Sequence, residues 1–89
     1  MYSPLTNRQS KALQMLRDNI DTEDGEMVYE KGLCYIGLEK FSTRTLFSLL
    51  RLMALRMEPV STVGGFEIYT INSTGLELLK EWENDIKRT

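Results

Sequence analysis

The sequence predicts a mostly α domain with a small β-hairpin, in the order helix, short strand or helical turn, helix, helix, strand, strand, helix. Three observations predict it. Leu46, Leu49, Leu50 and Met53 recur at i, i+3, i+4 and i+7, the pattern of one buried helix face. Phe66, Ile68, Tyr69, Thr70 and Ile71 are strong strand formers, and they follow Gly64-Gly65, a pair that permits the positive φ of tight hairpin turns. Leu76, Leu79, Trp82 and Ile86 recur at roughly helical spacing near the C-terminus. Eighty-nine residues make a single domain, 1–89, with its core in about 5–82.

Each element has a local reason. Thr6 and Gln9 form a capping box, so the first helix starts near Thr6, after Pro4 in an extended lead-in. Ala12, Leu13, Leu16 and Ile20 supply its buried stripe, and the acidic, Gly-containing 21–26 reads as a loop. Met27-Val28-Tyr29 reads as a short strand or a first helical turn. Leu33 to Glu39 reads as a short helix with Leu33, Ile36 and Leu38 inward, weakened by Gly32 and Gly37. Lys40-Phe41 makes a turn, and Ser42 caps a helix from about Thr43 to Leu55 that stops before Pro59. Leu55–Thr62 and Phe66–Ile71 then flank Val63-Gly64-Gly65 as a hairpin. Asn72 caps the last helix, with Lys87 and Arg88 at the negative end of its dipole.

Composition excludes several chemistries. There is no histidine, so Ser–His–Asp and Cys–His catalysis and His-containing zinc sites are ruled out. No GxxxxGK[ST] or GxGxxG string cradles a phosphate. The chain therefore offers no catalytic residue, metal site or cofactor site, which argues against an enzyme. The single cysteine, Cys34, suits a reducing compartment and a buried apolar role. No apolar run reaches membrane-spanning length and no signal peptide is visible, so a cytoplasmic location is expected.

Net charge is −2, but it is segregated along the chain. Arg8, Lys11 and Arg17 are unopposed in 1–17; Asp18, Asp21, Glu23, Asp24, Glu26 and Glu30 are unopposed in 18–30; Lys40, Arg44, Arg51 and Arg56 are unopposed in 40–57. Arg44, Ser48 and Arg51 recur at i, i+4 and i+7, nearly opposite the leucines. Such a helix can lie on a core and still present two guanidinium forks to a DNA major groove.

Two stretches carry a family likeness. FSTRTLFSLLRL resembles the turn and recognition helix of a winged helix-turn-helix domain. FEIYTINSTGLELL resembles the second wing strand running into the closing helix, with Ile71, Asn72, Gly75 and Leu79 on the matching positions, and is similar to the MarR and PadR groups. Two features depart from that pattern: Lys40 stands where glycine usually precedes the turn, and between Pro59 and Ile71 the wing holds no Lys or Arg.

The resemblance implies sequence-specific binding of double-stranded DNA, hence transcriptional regulation, with 43–55 in the major groove. Ser42 and Thr43 would hold a phosphate at the helix start. Arg44, Ser48 and Arg51 would face the groove, and Thr45 a thymine methyl or a phosphate. Lys40, Lys11 and Arg8 would neutralise backbone, and Thr62 and the Gly64 amide would be the wing's contribution. A homodimer on a palindrome is expected, with Trp82 and Ile86 as its interface unless Trp82 folds back onto the first helix. The other reading is a protein-interaction adaptor that binds no DNA and holds a basic partner through the acidic 18–30. A continuous positive face joining Arg44, Arg51, Lys11 and Lys40 would support DNA; interruption by Glu39 and Glu58 would support the adaptor.

Overall fold

The computed structural model describes residues 5–22, 25–59 and 65–87. Its order is α1 (Asn7–Asp18), β1 (Met27–Glu30), β2 (Leu33–Ile36), β3 (Glu39–Phe41), α2 (Thr43–Arg51), β4 (Leu55–Met57), β5 (Phe66–Ile71) and α3 (Ser73–Lys87). The strands form one five-stranded antiparallel sheet, β3-β2-β1-β5-β4. The expected mostly α, winged helix-turn-helix order is therefore wrong: a three-stranded meander separates α1 from α2, so the two are not joined by a turn as a helix–turn–helix.

The misreading lies in 33–39. Cys34 and Ile36 are fully buried while Leu33 and Tyr35 are exposed, which is the two-residue period of a strand. Leu38, expected inward, is fully exposed in the turn after β2. The turns around β2 explain the change. Glu30 pairs with Leu33 across Lys31 (φ 51°) and Gly32 (φ 78°), both left-handed as a type I′ hairpin requires. Ile36 pairs with Glu39 across Gly37 (φ 59°) and Leu38, with glycine at the first central position as in a II′ turn. The glycines that weakened the helix reading are hairpin turns.

Met27, Cys34, Ile36, Phe41, Leu55, Tyr69 and Ile71 share one sheet face by register, and all are buried. They join Leu13 and Leu16 of α1, Leu46 and Leu49 of α2, and Leu79 of α3 in one core. The helices thus lie on one side of the sheet. On the other side Val28, Leu33, Tyr35, Lys40, Arg56, Phe66, Ile68 and Thr70 alternate outward, and none is buried.

The first helix follows its capping box: the Gln9 amide donates to Thr6 Oγ1 at 3.2 Å, and the Thr6 amide donates to Gln9 Oε1 at 2.8 Å. α2 ends at Arg51, four residues short of the expected Leu55. Met53 is left-handed at φ 58° and 72% exposed, although its spacing placed it on the buried face. The Ala54 amide donates to Leu49 O at 3.0 Å, and the chain leaves at once as β4. β4 and β5 pair as the sequence predicts, while Thr62, Val63 and Gly64 of the connecting tip lie outside the described residues. Asn72 caps α3, its Oδ1 accepting from the Gly75 amide at 2.8 Å, while its Nδ2 donates to Met53 O at 2.8 Å. Trp82 is half-buried against the core, and Ile86 is 48% exposed. No helix among the described residues is long and apolar enough to cross a membrane.

Candidate nucleic-acid interface

The candidate interface is the outer stripe of α2. Ser42 holds its start, with Oγ accepting from the Thr45 amide at 3.2 Å and lying 3.0 Å from Thr45 Oγ1. Leu46 and Leu49 are fully buried below, which fixes the rotation of the helix about its axis. α1 fixes it again: Gln9 Nε2 donates to Ser48 Oγ at 2.6 Å, and Ser48 Oγ donates to Thr45 O at 2.8 Å. One Gln9 side chain therefore closes the α1 cap and ties α1 to α2.

These bonds remove two expected DNA contacts. Ser48 is half-buried between α1 and α2, and Thr45 is 6% exposed with its hydroxyl on Ser42; both are committed within the chain. Ser42 is exposed, but its oxygen already serves as a cap. Thr43, Arg44, Phe47, Ser48 and Arg51 line a shallow groove of about 410 Å³. Arg44 and Arg51 are exposed, and neither has an acidic partner among the described residues. Seven residues of helix set them about 10 Å apart along the axis. Between them stands Phe47, 47% exposed, edge-on to Tyr29 at 6.0 Å between ring centres and 67° between planes. The polar-face pattern passed over Phe47 because it is apolar, yet it lies three residues after Arg44 and four before Arg51, on the same stripe.

The remaining cations do not extend this stripe. Arg8 donates to Glu39 Oε2 at 3.1 Å and to Lys40 O at 2.7 Å, and its guanidinium lies 4.1 Å from the centre of the Phe41 ring. Lys11 Nζ meets the same Glu39 oxygen at 2.7 Å. The Lys11 hydrogen bond is the main cause that holds the Glu39 carboxyl below its usual range, with Arg8 adding to it. Glu39 thus offsets one of the two positive charges of Arg8 and Lys11, and among the described residues it interrupts the positive face between α1 and α2. Lys40 alternates with inward Phe41 and pairs with Tyr35, so it stands on the opposite side of the sheet from the helices. Thr62 and Gly64 lie outside the described residues.

The acidic 18–30 is divided. Asp18 pairs with Arg17 at 3.0 Å, which also bridges to Glu83 of α3 at 2.7 Å; Glu30 ends β1; Glu23 and Asp24 lie outside the described residues. No group of three metal-ligating side chains gathers among the described residues. No protein family, no curated protein and no solved structure matches this chain.

Proposed function

We propose that the protein binds duplex DNA through the outer stripe of α2, with Arg44 and Arg51 as the reading and anchoring groups. The observation that carries this reading is that both guanidinium groups stand exposed, with no acidic partner among the described residues, on a helix whose rotation is fixed by Leu46, Leu49 and the Gln9–Ser48 bond. A guanidinium fork donates twice to guanine O6 and N7, worth about 1–3 kcal/mol of discrimination per good pair. Phe47 would pack on a thymine methyl or a sugar. On this reading the protein is a transcriptional regulator.

On this reading Arg44 and Arg51 make the main contacts, and the salt dependence should reflect this. With at most two cations available to neutralise phosphate, the slope of log K against log[salt] should be no steeper than about −2. Titration of fluorescent random and G-rich duplexes at two salt concentrations tests the reading. Arg44→Ala and Arg51→Ala should each weaken binding about tenfold, while Lys11→Ala, already held by Glu39, should change it little. Absence of binding at low salt would refute it.

A protein adaptor is the second reading, and Glu39 favours it, because it interrupts the positive face between α1 and α2. An exposed aromatic flanked by two arginines is also the composition of a protein-binding anchor. In that case duplex titration fails, and binding of an acidic peptide depends on Phe47.

A further inference from the structure

The side of the sheet away from the helices carries an ordered charge pattern. Across one row lie Lys40, Tyr35, Val28 and Ile68, each the direct partner of the next. Glu58 completes the row: its amide donates to Ile68 O at 2.8 Å, and its Oε1 accepts from Thr70 Oγ1 at 2.8 Å on the same side of the sheet. The row therefore runs from a cation at the β3 edge, through three apolar side chains, to an anion beyond β4. The next row is Leu33, Glu30 and Phe66. Neither Lys40 nor Glu58 has an ion-pair partner among the described residues.

We propose that two copies of the chain associate back to back through this face, about a twofold axis parallel to the strands and passing near Val28. A twofold interface must be self-complementary, and the row meets that condition. Rotation about this axis sets Lys40 against Glu58 of the second copy, Tyr35 against Ile68, Leu33 against Phe66, and Val28 against itself. A twofold axis running across the strands would instead oppose Lys40 to Lys40 and Glu58 to Glu58, so charge selects the first. That axis keeps the strands of the two sheets aligned, the ordinary geometry of face-to-face packing. Arg56, one row further on beside Thr70, meets the uncharged Gly37-Leu38 turn of the second copy.

One contact opposes association. Glu30 lies near the axis and faces Glu30 of the second copy. The footprint is also small. Strands about 4.8 Å apart and about 13 Å long give a flat area of order 300 Å². A stable interface covers about 800 Å² per partner, so the dimer is a weak one. The helices remain on the outside, and the proposal stands whatever α2 binds.

Sedimentation of the full chain from about 10 µM to about 500 µM tests it. The native chain should shift from monomer to dimer over this range. Lys40→Glu and Glu58→Lys should each weaken association about tenfold, and the two together should restore it to within about threefold of native. Glu30→Gln should tighten it severalfold; it is a conservative change that decides the question even if Glu58→Lys fails to fold. A chain that stays monomeric throughout, a double variant as weak as either single one, or a Glu30→Gln variant that does not tighten overturns the proposal.

Discussion

Gly75→Ala sets helix propensity against packing, and the structure gives the sign. Gly75 lies in the first turn of α3, where alanine would favour the helix by up to about 1 kcal/mol. A methyl group there would lie 2.4 Å from Ala54 O, 2.8 Å from Ile71 Cγ1 and 3.2 Å from Ala54 C. The nearest of these is backbone, and Ala54 is fully buried, so it has no free space to retreat into. Overpacking of this kind costs about 1–3 kcal/mol. Ala54 O also accepts the Asn72 amide at 3.2 Å, the bond that joins the α2–β4 turn to the start of α3. Pushing the carbonyl away weakens that bond, at about 1 kcal/mol.

The balance is destabilisation by about 1–3 kcal/mol, which for a domain of this size lowers Tm by roughly 5–20 °C. Circular dichroism melts and urea titrations of the native chain and Gly75→Ala measure it directly. Asn84→Ala, an exposed change on the same helix, is the control and should be neutral or slightly stabilising. A Gly75→Ala protein as stable as the native chain would refute the reasoning, because it would mean that the Ala54 carbonyl can yield without cost.

Two other outcomes concern titrating groups. Burial pushes the Cys34 thiol up to about 11, so it should react with a disulfide reagent at pH 8 only at the rate of unfolding; rapid labelling of the native chain would contradict its place in the core. Because that thiol is held protonated, its stabilising effect is present below the ordinary thiol range and falls as pH rises towards 11. Glu39 has the opposite sign. Its carboxyl is held down by Lys11 and Arg8, so its contribution is present above the ordinary carboxylate range and is lost as pH falls through the lowered value. Glu39→Gln should therefore lose less stability than the native chain between pH 6 and pH 3 in urea titrations, and parallel curves would count against the Glu39 pairings.

The residues that were legible are those whose signal is local. The Thr6–Gln9 box, the Ser42 cap and the Asn72 cap each use groups three residues apart, so their spacing in the chain is their spacing in space. The leucine stripe of α2 was legible for the same reason, up to the point where Met53 turns left-handed. The meander was legible in principle: Lys31-Gly32 and Gly37-Leu38 are two-residue hairpin loops around an alternating strand. It reads as helix because Leu33 and Ile36 stand three residues apart, and so short an apolar run does not separate helix from strand.

The candidate site divides in the same way. The sequence alone determined that Arg44 and Arg51 share a helix face opposite buried leucines, because a 3.6-residue period leaves no other arrangement once the helix forms. Only the tertiary structure decided which polar groups remain available. Ser48 is taken by Gln9 from 39 residues away, and Glu39 takes Arg8 and Lys11 across the packed layers. Lys40 is sent to the far side of the sheet by the strand alternation that the helix reading excluded. Partners of that kind are set by how the layers close on one another, and the closure is a property of the whole core rather than of any one segment.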